Sequence, residues 1–238
     1  MTKEMNSSEL TLFRDNVKRF IGEHIQPDFM KWERDEIFPR TLWNKIGEAG
    51  LLCVDLPEEY GGCGVSFRYA SVVAEELSYA GFAGVATSYA VHAYIVATYV
   101  MNSGTLAQRD KYLARMASGE CIGAIAMTEP GTGSDLQGIA TTAKAEGDDF
   151  IINGSKTFIT NGQHCDMVIV AAKTNERGGA KGLSLFLVDC DAKGFQRGTN
   201  LDKIGLHCAD TSELFFDNVR ALLHKSNSLV SYNQLHEE

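Results

Sequence analysis

The sequence predicts an α+β fold, in which an amino-terminal all-α helical domain is followed by a small antiparallel β-barrel or sandwich domain. Three observations predict it. Apolar residues recur at three- and four-residue steps through the first half. After Cys121 that period gives way to short apolar or β-branched runs separated by turn dipeptides. The length, 238 residues, suits two modest cores. The expected organisation is residues 1–120 as the helical domain, 121–220 as the β domain and 221–238 as a frayed tail.

The helices follow in order. Leu10, Phe13, Val17, Phe20 and Ile21 make one apolar stripe behind Ser7 and Ser8, which can cap free amides of a first turn. A second helix starts near Pro39, buries Leu42, Trp43 and Ile46, and stops at Gly50, a residue that tolerates a left-handed cap. Leu56 to Gly62 reads as a loop. Further helices are expected over Phe67 to Tyr79 and Val85 to Met101. Thr105 and Gln108 then form a capping box that opens a helix running to about Ser118 and ending at Gly119.

Strands are expected at Ile122 to Met127, Ile139 to Ala145, Phe150 to Ile152, Ser155 to Thr160, Met167 to Lys173, Leu183 to Val188 and Glu213 to Phe216. The turn signals between them are Gly147-Asp148, Asn153-Gly154, Asn161-Gly162, Gly178-Gly179 and Lys193-Gly194. Leu222 to Glu238 is polar and carries neither period, so it reads as a frayed end.

Composition removes several function classes. The 31 acidic against 22 basic residues give a formal charge of −9 and no segregated basic run, which argues against nucleic acid as a partner. Six dispersed cysteines with no C-x-x-C pair read as reduced packing thiols. His164-Cys165 and His207-Cys208 are adjacent pairs whose side chains point to opposite faces of a strand, so no metal site is expected from either. Ala80 to Met101 lacks Lys, Arg, Asp and Glu, yet it carries Thr87, Ser88, His92 and Thr98 and no basic flank, so it reads as a buried core helix and not a membrane span. Met1 to Glu9 shows neither a secretory nor a transit pattern, which suggests a reducing, cytosol-like compartment.

Chemistry is concentrated in Met127-Thr128-Glu129-Pro130-Gly131-Thr132-Gly133-Ser134-Asp135-Leu136. Two glycines, two threonines and a serine around one turn let backbone amides and hydroxyls approach an anion closely. The loop lacks the glycine spacing and following helix of the dinucleotide fingerprint, and the chain has no Gly-Lys-Ser/Thr phosphate loop. A tight hairpin turn with no ligand is the alternative. Downstream, Phe158 and Thr160 stand two apart on one expected strand, presenting an aromatic plane beside a hydroxyl.

Leu56-Pro57-Glu58-Glu59-Tyr60-Gly61-Gly62, the Met127 to Asp135 run, Asn153-Gly154-Ser155-Lys156 with Phe158-Ile159-Thr160-Asn161-Gly162, and Glu213-Leu214-Phe215-Phe216-Asp217-Asn218-Val219-Arg220 together resemble the consecutive signatures of the acyl-CoA dehydrogenase family. They occur in family order across Ser8 to Arg220, and the stretch from Gly123 to Phe216 resembles the long-chain and isovaleryl-type branches most. The resemblance implies an FAD-dependent α,β-dehydrogenation of acyl-CoA thioesters, with an electron-transfer flavoprotein collecting the electrons. It implies that Ile125, Met127 and Thr128 edge the flavin and that Gly133 and Ser134 contact the pyrophosphate. Phe158, Ile159 and Thr160 would line the ring, Phe158 standing where many members carry tryptophan. Ser134, with Ala180 and Lys181, would face acyl-CoA. The location implied is cytoplasmic for a bacterial protein or the mitochondrial matrix for a eukaryotic one.

The family continues past the Asn218-Val219-Arg220 motif into a carboxy-terminal helical bundle that carries the catalytic glutamate. That bundle is expected to be absent here, apart from scraps of its lead-in at Lys225-Ser226-Asn227 and Asn233-Gln234, so no catalytic residue is assigned. Glu129 and Asp135 read as turn or capping groups. Two readings follow: an incomplete acyl-CoA dehydrogenase, or a non-catalytic flavin or acyl-CoA-binding module that pairs with a full-length relative. Without the bundle, Val85 to Met101 is expected to lack part of its packing and to favour homo-oligomers or association with such a relative.

Overall fold

The computed structural model describes residues 7–147, 149–175, 179–222 and 228–231. Seven α-helices come first: α1 (Ser7–His24), α2 (Phe29–Asp35), α3 (Thr41–Glu48), α4 (Phe67–Tyr79), α5 (Ala83–Ala90), α6 (Ala97–Ser103) and α7 (Leu106–Ala117). The stripe read from α1 is buried at Val17, Phe20 and Ile21, and α3 buries Leu42, Trp43 and Ile46. Ser7 and Ser8 lie inside α1 as its first residues rather than ahead of it. The capping box of α7 is present, with Thr105 accepting from the Gln108 amide and Gln108 accepting from the Thr105 amide. The sequence pattern missed α2, because Phe-Met-Lys-Trp-Glu-Arg-Asp is short and mostly charged and buries only Trp32.

Between α5 and α6 the chain widens into a π-helical segment, Val91–Val96. This turn aims His92 at two backbone groups from other elements. Its Nε2 donates to Met116 O at 3.1 Å, and its Nδ1 accepts from Gly123 N at 3.1 Å. Such one-turn distortions commonly serve a specific contact. The expected unpacked face along Val85 to Met101 is largely filled. Val85, Tyr89, Ala93, Val96, Ala97 and Val100 are all buried, leaving Ile95 as its one exposed large apolar residue.

Eight strands follow: β1 (Gly123–Ala126), β2 (Thr142–Glu146), β3 (Asp149–Thr160), β4 (Met167–Lys173), β5 (Leu183–Asp189), β6 (Phe195–Asn200), β7 (Thr211–Leu222) and β8 (Ser228–Ser231). They form one sheet in the order β6-β7-β3-β2-β4-β5-β8. Most pairs are antiparallel, as expected. The exceptions are β1, which runs parallel to β4 from Gly123↔Met167 to Ala126↔Val170, and a single parallel pairing of β2 with β4 at Thr142↔Lys173. Thus β1 and β2 share one edge of β4, and the chain from Met127 to Thr141 leaves the sheet at the break between them.

Three expectations change. Asn153-Gly154 is not a turn, because β3 runs unbroken from Asp149 to Thr160 with a register shift against β7 between Ile152 and Gly154. The glycine is required there for close approach, since a Cβ on Gly154 would lie 2.3 Å from Thr141 Oγ1. The strand expected from Ile139 starts three residues later, after a 3-10 turn at Leu136–Gly138. In the expected frayed end, Ser228–Ser231 pairs with β5, and Lys225 to Asn227 and Asn233-Gln234 lie outside the described residues. The polar edge strand β6 also escaped the pattern, which looks for apolar or alternating runs.

The helical part and the sheet share one apolar core. Met167, Ile169 and Leu187 from the sheet and Cys208 from the loop before β7 join Val17, Trp43, Tyr89, Val96, Leu113 and the other buried helical residues in a single cluster. A second cluster, including Val168, Val170, Phe186, Leu214 and Phe216, fills the opposite face of the sheet.

Candidate functional site

The Met127 to Asp135 run begins where β1 ends. It is pinned to the far part of β3 by backbone and side chain together. Thr157 N donates to Thr128 O at 2.9 Å, and Lys156 Nζ donates to Met127 O at 3.0 Å and to Glu129 Oε1 at 2.8 Å. The Lys156 and Glu129 side chains are both out of solvent. Glu129 also accepts from the amides of Ala140 and Thr141, so its carboxylate ties both ends of the loop to β3. Burial alone pushes the Glu129 carboxyl up, but the hydrogen bonds from Lys156, Thr141 and Ala140 outweigh it and hold the carboxyl below its usual range. For Lys156 burial wins, and the ammonium is pushed down despite Glu129.

Reciprocal backbone bonds between Glu129 and Thr132 close a tight turn at Pro130-Gly131, and the Asp135 carboxylate accepts from Gln137 N at 3.1 Å. Thr132 Oγ1 donates to Asp135 O. These bonds engage the amides of Glu129, Thr132 and Gln137 and not those of Gly133 and Ser134. Gly133 and Ser134 are exposed, and a Cβ on Gly133 would meet nothing within 4 Å. Glu129 and Asp135 are therefore structural acceptors, as their turn context suggested.

On β3 the alternation is broken where it matters. A second register shift against β7 falls between Lys156 and Ile159, and Phe158 sits at φ 59°. Lys156 and Thr157 are consequently both buried, Phe158 is 67% exposed, Ile159 is buried and Thr160 is half-buried. Period-two counting would put Lys156 on the face of Phe158 and Thr160. The bulge turns it inward to Glu129 instead. An aromatic residue held at positive φ with most of its ring in solvent is a strained and poorly buried arrangement, of the kind that concentrates at ligand sites.

The structure thus brings together Met127 and Thr128 with the Lys156 to Thr160 end of β3, and it hangs Gly133 and Ser134 on the loop that leaves the same strand end. Ile125, Met127 and Thr128 are half-buried, with buried Ala126 between the first two. Ala180 and Lys181 lie in the 3-10 turn Gly179–Gly182, and their side chains lie outside what the structure describes. That turn reaches the loop's own 3-10 turn, where a Cβ on Gly179 would come within 3.2 Å of Gln137 Oε1. Sequence reasoning missed the Lys156–Glu129 pair. The only available signal was a lysine inside an otherwise apolar and hydroxylated strand.

These residues suit a flat, polar-edged cofactor. The exposed Phe158 ring offers a stacking plane, Thr160 a hydroxyl beside it, the strand end at Met127 and Thr128 an edge, and the open glycine and serine positions room for an anionic group. Asn161 at φ 64° fixes the turn that follows, donating through Nδ2 to Ser88 O at 3.0 Å and Gly123 O at 3.3 Å. The edge is therefore braced from both layers.

Comparison with known proteins matches nearly the whole chain to one family. Residues 7–120 match the family described as acyl-CoA dehydrogenase, N-terminal domain, and residues 124–219 match acyl-CoA dehydrogenase, middle domain. A curated relative, the long-chain specific acyl-CoA dehydrogenase, mitochondrial, of Sus scrofa, is 47% identical over 232 residues, covering 95% of this chain and 54% of its own. The crystal structure of an acyl-CoA dehydrogenase from Geobacillus kaustophilus superposes with a TM-score of 0.91 at 40% identity, over 100% of this chain and 63% of that one. A glutaryl-CoA dehydrogenase from Mycobacterium smegmatis, solved in complex with FADH2, superposes with a TM-score of 0.86 at 30% identity, over 95% and 56%. The chain spans about half the length of the curated relatives it matches.

Proposed function

The chain belongs to the acyl-CoA dehydrogenase family, and on that premise we propose that it supplies the flavin-facing half of an FAD-dependent enzyme that oxidises acyl-CoA thioesters between the α and β carbons. The observation that carries this reading is Phe158, exposed and strained beside Thr160 and tied through Thr157 and Lys156 to the strand end at Met127 and Thr128. FAD, when bound, would accept the hydride equivalent lost from the β carbon.

In this reading Phe158 packs on the ring, Ile159 lies behind it, and Thr160 donates a hydrogen bond at its edge. Ile125, Met127 and Thr128 border it. Gly133 and Ser134 hold the pyrophosphate through free amides and a hydroxyl, and Ser134, Ala180 and Lys181 meet the acyl-CoA. Lys156 and Glu129 act by position alone, keeping the loop on the strand. Since Glu129 is saturated by three donors and Asp135 caps a turn, neither serves as the base that removes the α proton. That base comes from outside these residues, and electrons pass on to an electron-transfer flavoprotein.

The test is to titrate the purified chain with FAD, following flavin absorbance and fluorescence, and then to add straight- and branched-chain acyl-CoAs with a dye acceptor. Bound flavin that depends on Phe158 supports the reading. Protein that stays colourless in excess FAD sinks it. Flavin that binds but is never bleached by any acyl-CoA favours the non-catalytic module that pairs with a longer relative.

A further inference from the structure

The loop between β6 and β7, residues 201–210, lies against the end of α2, remote in sequence from the flavin-facing residues. Asn200 and Glu33 fix its ends. Asn200 Nδ2 donates to Glu36 O at 2.7 Å while its Oδ1 accepts from Thr211 N at 2.8 Å. The Glu33 carboxylate accepts from the amides of His207 and Cys208, at 3.3 and 3.1 Å, and Phe38 N donates to Cys208 O at 3.2 Å. This bracing brings Glu36, Asp202 and His207 together, with one ligand atom from each lying within 4.8 Å of the other two.

We propose that Glu36, Asp202 and His207 form a three-ligand site for a divalent transition ion of the zinc class. Three features support it. First, two carboxylates converge here without an ion-pair partner among the described residues. Neither makes an ion pair or accepts a hydrogen bond among the described residues, whereas Glu75, Asp166, Asp189, Glu146 and Asp149 each pair with an arginine or lysine. Second, the donor set is one imidazole nitrogen and two carboxylate oxygens, which suits zinc-like ions better than magnesium or calcium, whose sites are built from oxygen alone. Third, the donors need only a small closure. Bonds of about 2.0 to 2.2 Å in a tetrahedral site put donors about 3.5 Å apart. Partly exposed Glu36 and His207 and exposed Asp202 can make that movement, and the fourth position remains open to water.

The backbone bonds from Asn200 and Glu33 play the part that outer hydrogen bonds play around built metal sites, fixing the ligand-bearing segments. Sequence reading sets no metal expectation at His207-Cys208, because it takes in only that adjacent pair. Cys208 is buried in the core, and the partners of His207 come from positions 36 and 202. A bound ion would add a further tie between the helical layer and the loop before β7, beside the Phe38–Cys208 backbone bond and the side-chain bonds from Glu33 and Asn200.

The experiment uses the full chain, stripped with a chelator and titrated with zinc chloride against a colorimetric competitor, in parallel with cobalt(II) absorption. The expected result is one ion per chain, a rise in Tm on adding zinc, and cobalt bands without the intense near-ultraviolet absorption of thiolate ligation. Asp202→Asn, which alters an exposed side chain, and His207→Ala should each weaken binding at least tenfold while leaving the zinc-free Tm unchanged. Cys63→Ser, which removes the exposed thiol, should bind as the parent does. Failure to bind zinc, equal binding by both ligand variants, or loss of binding in Cys63→Ser would each overturn the proposal. If His207→Ala does not fold, Asp202→Asn decides alone.

Discussion

The Lys156 ammonium lies 2.8 Å from the Glu129 carboxylate, and the two side chains are 0% and 5% exposed. A pair so deeply placed is costly to break from either side, because the survivor is left as an unpaired charge away from water. Lys156→Met and Glu129→Gln should each lower the unfolding free energy by about 3 to 5 kcal/mol. The double variant should lose less than the sum of the two. A denaturant-melt double-mutant cycle that returned simple additivity would show that the pair does not act as a unit.

Phe158 carries a conformational cost without a burial gain. Phe158→Gly relieves the left-handed strain of about 1 to 2 kcal/mol and returns roughly half of it as unfolded-chain entropy. Stability should therefore change by no more than about 1 kcal/mol, while FAD retention falls. Phe158→Trp should tighten retention by enlarging the stacking surface. Equal flavin content in all three proteins, measured by absorbance after gel filtration, would remove Phe158 from the proposed site.

His92 gives the fold a pH dependence whose sign can be worked out. Burial pulls its pKa down to about 4 from an ordinary 6.5, even though the hydrogen bond to Met116 O favours the charged form. The folded state holds the neutral ring, so the unfolded chain binds more protons between these values and stability falls as pH drops from about 6.5 to about 4. The loss should reach about 3 kcal/mol for this group. Burial pushes His164 in the same direction. Urea midpoints measured across that window should show the decline in the parent and a shallower one in His92→Gln.

Gly62 and Gly154 test two family-like motifs as packing devices. A Cβ on Gly62 would stand 2.0 Å from Leu56 O, and one on Gly154 2.3 Å from Thr141 Oγ1. Since backbone must shift to admit the methyl at Gly62, Gly62→Ala should cost about 3 kcal/mol or more. Gly154→Ala would also meet Thr141 Cα at 2.7 Å from a backbone at φ 156°, so it should cost at least as much as Gly62→Ala. Thermal melts of the two variants check the order.

Much of the fold was legible because its elements are locally consistent. The helix expected over Phe67–Tyr79 and the strand expected over Met167–Lys173 have the observed bounds. The capping box and the change of period near Cys121 are equally local. What escaped depends on distant partners. Asn153-Gly154 spells a hairpin turn, yet the glycine is there to admit Thr141. The face shared by Phe158 and Thr160 could be counted on the strand, but the inward turn of Lys156 could not. It comes from a bulge set by pairing with β7 and from a carboxylate 27 residues away in sequence. The cluster at positions 36, 202 and 207 is similarly invisible to any local window.

The core in which Met167, Ile169 and Leu187 pack among the helices has a consequence for how the molecule melts. The switch from helix to strand near Cys121 is a boundary of secondary structure, while the apolar cluster crosses it. Amides of α7 and β4 should therefore exchange with solvent through one common opening, with similar protection. Cutting the chain at the switch would leave each piece with a bare apolar face, so the half proposed to face the flavin draws its rigidity from the other half.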